Sequence, residues 1–149
     1  QEENGATLVD FYGTEEHVAA IMRRPEHNVA SDGVMGDRPH PRLYGTFPRV
    51  LGKYVRDEKV LSLQEAIHKM TGKASEALGL TGRGFLKKGY AADIVVFDPD
   101  TVADTATYAE PKQYPSGIRW VIVNGKILVE DGQMRPKKAG RVLRARGGR

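Results

Sequence analysis

His27-Asn28-Val29-Ala30-Ser31-Asp32-Gly33 is the stretch on which the reading of the fold turns. A partly apolar run leaves a helical segment and halts at Ser-Asp-Gly, a turn signal. This places a carboxylate at the C-terminal end of a strand predicted over 28–31. Just upstream, Thr14 has the chemistry of an N-cap, and Glu15 and Glu16 put negative charge on a first helical turn. Val18, Ile21 and Met22 recur at helical spacing, and Pro25 stops the helix. Helix, short loop, strand is the order found inside a (β/α) barrel, where the C-terminal end of each strand opens onto the ligand pocket. Asp32 is therefore a candidate proton carrier. Asp-Gly is also an ordinary turn pair, and the residues by themselves leave both readings open.

Downstream, residues 33–59 are rich in Gly, Pro, Arg and aromatics without a sustained period. That pattern predicts a long loop folded over a site, with at most a helical turn over 50–55. Within it, Arg42 follows Asp32 by ten residues and is the candidate for gripping a substrate carboxylate, which a guanidinium can do with two parallel hydrogen bonds. His40 stands beside it as a second candidate substrate-binding residue, with Pro41 stiffening the backbone between them. The competing reading pairs Arg42 with a loop carboxylate such as Asp37 or Asp57. Arg49 is expected farther from substrate, and Tyr44 and Phe47 are expected to pack the loop down.

Ser62-Leu63-Gln64-Glu65 is a capping box and predicts a helix to Met70 with Leu63, Ala66, Ile67 and Met70 on its apolar face. Thr71-Gly72 breaks it, a short helix over 74–78 follows, and Gly79 closes that helix. His68 reads as a solvated histidine near a helix C-terminus. After Gly79 the period turns from helical to extended, so the domains are drawn as 1–79, 80–144 and a basic tail over 145–149. A strand is predicted over 92–97. A hairpin with an Asn124-Gly125 turn joins 118–123 to 126–130, Asp131-Gly132 starts another turn, and Val142-Leu143 reads as a last edge strand.

The 149 residues suffice for a core but fall short of the roughly 250 of a complete barrel. With no cysteine, disulfides and Cys metal sites are excluded within these residues, and no apolar run approaches the roughly 18 residues of a membrane span. A soluble, cytoplasmic protein is expected. The chain opens at Gln1 with neither a methionine nor a signal-peptide pattern, which predicts an upstream portion. Its net charge of +4 is uneven: the last 15 residues carry +7 and the remainder sums to −3. A basic end without aromatic side chains reads as a solvated tail, so no nucleic-acid partner is expected.

Ser31-Asp32-Gly33, His40-Pro41-Arg42, Tyr44-Gly45-Thr46-Phe47-Pro48-Arg49 and Gly89-Tyr90-Ala91-Ala92-Asp93-Ile94-Val95-Val96-Phe97-Asp98 together resemble the C-terminal third of D-aminoacylases. These are the N-acyl-D-amino-acid deacylases of the amidohydrolase superfamily, and the resemblance runs from about Thr14 to Arg144 in one order. It implies an α/β plus β fold: the last strand and helices of a TIM-like (β/α)8 barrel, then most of a small β-sandwich built from both chain ends, with Asp93 structural. It also implies a small-molecule N-acyl-D-amino acid as substrate and Zn2+ as cofactor, held mainly by Cys and His residues upstream of this chain. Asp32 matches the aspartate that serves such enzymes as general base and then acid, and is at most a weak further zinc ligand. His17, His27, His40 and His68 form neither a His-x-His nor a His-Glu-x-x-His pattern. The chain alone is thus expected to be inactive without the missing N-terminal portion of the same protein. Two other readings remain: another amidohydrolase such as a dihydroorotase-like cyclic amidase, and a non-catalytic β-rich module that binds polyanions through its basic tail.

Overall fold

A computed structural model of the chain describes residues 13–144, so the tail over 145–149 and the first twelve residues lie outside the described part. Helix α1 (Glu15–Arg23) starts where the Thr14 hydroxyl accepts the His17 N–H at 3.3 Å. Its buried face is Ala19 and Met22. The predicted strand over 28–31 is extended chain without a strand partner among the described residues. The physical reason is visible in its hydrogen bonding: Val29 N–H goes to Lys69 O, at 3.3 Å, in a helix that cannot continue a ladder.

The expected long loop is corrected more deeply. Residues 42–49 form helix α2 (Arg42–Arg49), which runs straight into a π-helical segment (Val50–Asp57). Pro48 lies inside α2 and has no N–H to donate, and beyond it the bonding widens to the spacing seen from Glu58 N–H to Lys53 O at 2.8 Å. Burial overrides the poor propensity, since Val50, Leu51 and Tyr54 are all buried. The glycines that suggest a loop are instead points of close approach. A Cβ on Gly52 would lie 2.6 Å from Val102 O, and one on Gly45 3.1 Å from Asp104 Cβ.

Helix α3 (Leu63–Met70) carries the predicted capping box: Ser62 Oγ accepts the Glu65 N–H at 3.2 Å and the Glu65 carboxylate accepts the Ser62 N–H at 3.0 Å. Helix α4 (Gly72–Ala77) follows, and Gly79 adopts φ +63 just beyond its end. Ala19, Met22, Val29, Val50, Tyr54, Val60, Leu61 and Ala66 form one core among these helices.

The second half is an antiparallel meander of β1 (Ile94–Phe97), β2 (Ile118–Val123), β3 (Lys126–Glu130) and β4 (Gln133–Met134), in that order. Ile94 faces Ile122 and Val121 faces Val129. Asn124 and Gly125 take φ +48 and +75, the pair of left-handed residues of a tight hairpin turn, and Asp131 and Gly132 repeat it at +48 and +76. That second turn makes β4, so the sheet's last strand falls there and not at Val142-Leu143, where the chain is irregular. Asp93 bonds Arg83 and accepts the Asn124 N–H at 2.7 Å, bracing the hairpin turn. Among the described residues no helix is long and apolar enough to cross a membrane.

The connection from Asp98 to Gly117 folds back onto the helical half. Val102 at its root is wholly buried, and the Arg56 guanidinium donates to Val102 O at 2.7 Å. A Cβ on Gly117, whose φ is +73, would come within 2.5 Å of the Val102 backbone. This clasp brings residues distant in sequence to the mouth of α2.

Candidate active site

The segment that carries Asp32 is held from below by two lysines. Lys69, only 6% exposed, donates from Nζ to Arg24 O at 2.5 Å and His27 O at 3.2 Å; Lys73 donates to His27 O at 3.3 Å and to Pro25 O. Of these carbonyls Arg24 O is at the C-cap of α1, where the helix dipole favours the Lys69 charge. Burial pushes the Lys69 ammonium below its ordinary range, and Lys73 adds to that; burial likewise holds the His27 ring down, aided by both lysines.

Asp32 itself adopts φ +46, a left-handed conformation that aspartate tolerates better than most residues. Gly33 then passes so close to α2 that an added Cβ would lie 2.6 Å from Leu43 Cδ1 and 2.9 Å from Leu43 Cα. With that contact in place, Arg42 reaches Asp32 twice: Nε donates to Asp32 O at 2.9 Å and Nη2 meets Oδ2 at 2.7 Å. The partner of Arg42 is therefore Asp32, not Asp37 or Asp57. Asp57 pairs with its neighbour Arg56 at 2.8 Å.

His40 caps α2. Pro41, in the N-cap position, has no side-chain oxygen to offer, and His40 Nδ1 accepts the Arg42 N–H at 3.0 Å in its place. On the other side of the ring, Nε2 stands 3.3 Å from the Tyr108 hydroxyl, with the two rings edge to face at 5.2 Å. Burial, with the Arg42 charge behind it, lowers the His40 pKa and favours the neutral ring. Tyr108 arrives from the clasp, as does Asp104, which Arg49 reaches at 3.3 Å while its other amino group meets Glu15 at 3.3 Å. A cleft of about 310 Å³ opens among these groups, lined by His40, Arg42, Arg49, Asp104, Tyr108 and Glu15.

Sequence reasoning singles out Asp32, His40 and Arg42, and the structure joins them in one run of contacts. It misses Tyr108 and Asp104, whose connection carries no motif. The aromatics named as packing residues divide: Tyr44 meets Tyr114 edge to face at 5.8 Å, whereas Phe47 is 43% exposed. His17 and His68 are exposed on α1 and α3. Among the described residues no three His, Cys, Asp or Glu side chains stand together to hold a metal ion. The described residues therefore do not form a zinc site, and Asp32 is a lone carboxylate in this respect.

Asp32, on non-helical chain, thus pairs with Arg42, which opens α2 and lines the cleft, and an antiparallel meander follows in the chain. The chain belongs to the amidohydrolase family, whose model matches residues 5–129. More narrowly, it is 48% identical over 139 residues to a D-aminoacylase of Alcaligenes xylosoxydans xylosoxydans, and 45% identical over 139 residues to an N-acyl-D-aspartate deacylase of the same organism. Each match takes in 93% of this chain but only 29% and 28% of those relatives. In three dimensions it is similar to the N-acyl-D-glutamate deacylase of Bordetella bronchiseptica, solved with zinc and a phosphonate that mimics the tetrahedral intermediate. That likeness has a TM-score of 0.83 at 46% identity and covers 89% of this chain and 28% of that one.

Proposed function

We propose that the chain is the C-terminal part of a zinc-dependent amidohydrolase that cleaves N-acyl-D-amino acids to a carboxylate and a free D-amino acid. The observation that carries this reading is the pairing of Asp32 with Arg42, a residue of the cleft wall, within a segment close in sequence to enzymes named for that reaction. Zinc supplies Lewis acidity when bound, and its ligands are assigned to the remainder of the protein. The chain alone is accordingly inactive.

Asp32 accepts a proton from the attacking water and returns it to the departing nitrogen, so that an amine leaves and not an amide anion. Arg42 receives the substrate's α-carboxylate. Two of its donors already serve Asp32, but a guanidinium has five N–H groups, and the others remain to form a fork on the substrate. One cation then faces two anions and offsets the repulsion between base and substrate. At 43% and 80% side-chain exposure, the Arg42–Asp32 pair is worth no more than about 1 kcal/mol, so it can yield as substrate enters.

The test is made on the full-length protein, as zinc content and hydrolysis of N-acetyl-D-methionine against its L enantiomer. Asp32→Asn keeps the shape but removes the proton acceptor, and turnover is expected to fall by about 10²-fold or more with zinc retained. Near wild-type turnover would remove Asp32 from this role; a zinc-free, inactive wild type would remove the activity.

A further inference from the structure

We propose that His40 and Tyr108 are positioning residues for Arg42: Tyr108 holds the His40 ring, and His40 holds the first turn of α2 from which the guanidinium reaches the site. The inference rests on the reading of Arg42 as the carboxylate grip.

The contacts of the His40 ring fix where its proton lies. Nδ1 accepts the Arg42 N–H at 3.0 Å and therefore bears no hydrogen of its own. A neutral imidazole then has its proton on Nε2, which donates to the Tyr108 hydroxyl 3.3 Å away. Both ring nitrogens are thus engaged inside the protein, which turns His40 from a substrate contact into a brace. The brace acts on Arg42 in particular because the bonded N–H belongs to Arg42, the first residue of the helix. Without it, that donor has no side-chain cap, since Pro41 provides none. The far end is equally directed: Arg42 spans from His40 at its backbone to Asp32 at its guanidinium. Tyr108 belongs to the clasp, which is seated by the wholly buried Val102 and by Arg56 on its carbonyl. An anchored loop, a capped helix end and a guanidinium are therefore connected in series.

A brace of this kind acts on one substrate group. In the full-length enzyme, Tyr108→Phe keeps the ring packing and deletes the acceptor. Its KM for N-acetyl-D-methionine is expected to rise roughly three- to tenfold, the size of one hydrogen bond, while its KM for the corresponding α-carboxamide, which lacks the anion, stays at the wild-type value. His40→Asn places an amide oxygen where Nδ1 stood and can still cap Arg42 N–H, but it is too short to reach Tyr108. It is expected to match Tyr108→Phe, and the double variant to be no worse than either alone, as members of one chain of contacts behave. Equal losses on the carboxylate and the carboxamide, or additive losses in the double variant, would overturn the proposal and leave Tyr108 as packing. Arg42→Ala separates the two readings: if it too fails to distinguish carboxylate from carboxamide, the grip itself is wrong. If it does distinguish them and Tyr108→Phe does not, only the brace is wrong.

Discussion

At the scale of single residues, the site depends on a missing side chain as much as on those present. Gly33 lets the chain lie against Leu43, and this contact sets how far Asp32 stands from Arg42. Gly33→Ala must push the two segments apart. Displacement by about an ångström at a reacting group can cost 10²-fold, and the role proposed for Asp32 predicts a loss in kcat/KM of that order in the full-length protein. Gly36→Ala is the comparison, because an added Cβ there meets nothing within 4 Å, and it should leave kcat/KM unchanged. Asp32 and Arg42 could be named as candidates from the sequence because both lie in one short stretch with turn and loop signals around them, but their pairing with each other was not read there. Tyr108 was not, because it meets His40 across 68 residues and no local pattern records such a meeting.

At the scale of elements, α1 is tied to the π-helical segment by the Glu15 carboxylate as well as by the shared core. Glu15 accepts from Tyr54 Oη at 2.6 Å and pairs with Lys53 at 2.7 Å. The bonds from Lys53 and then Tyr54 hold the Glu15 carboxyl down to about 2, while burial, with the bond to Glu15, pushes the Tyr54 hydroxyl up to about 12. A carboxyl lowered in the folded state stabilises it fully above the ordinary value of 4.5, and that contribution is lost as pH falls through about 2. Denaturant titrations should therefore show wild type losing stability across this acid window and Glu15→Gln lacking that slope. With 55% of the side chain exposed, the effect is on the order of 1 kcal/mol. The capping box and the Asn-Gly hairpin were readable because each is specified within four residues. The helix over 42–57 was not, since its glycines and Pro48 argue locally for a loop while Val50, Leu51 and Tyr54 are held by a core that composition does not reveal. The strand over 28–31 failed for the complementary reason: an extended run becomes a strand only beside a neighbour.

At the scale of the whole molecule, the clasp unites helices and sheet. Val102, with no exposed surface, is its fulcrum. Val102→Ala is expected to cost roughly 2 kcal/mol by transfer and cavity formation, read as a lower urea midpoint, and to loosen the clasp enough that proteases cut within 98–117 sooner than in wild type. The order of helices first and antiparallel strands after them was legible through the switch from helical to extended period after Gly79. How the halves meet was not, because Arg56, Gly52 and Gly117 each read locally as ordinary loop or turn residues.

The clasp also sets an order in time. His40 emerges from the ribosome 68 residues before its ring partner, and closing a loop of that length carries an entropic cost that only the finished contacts offset. The His40–Tyr108 contact thus forms only after the first turn of α2 has been made, and a nascent chain that stops before Tyr108 carries Asp32 and Arg42 without the ring that meets His40.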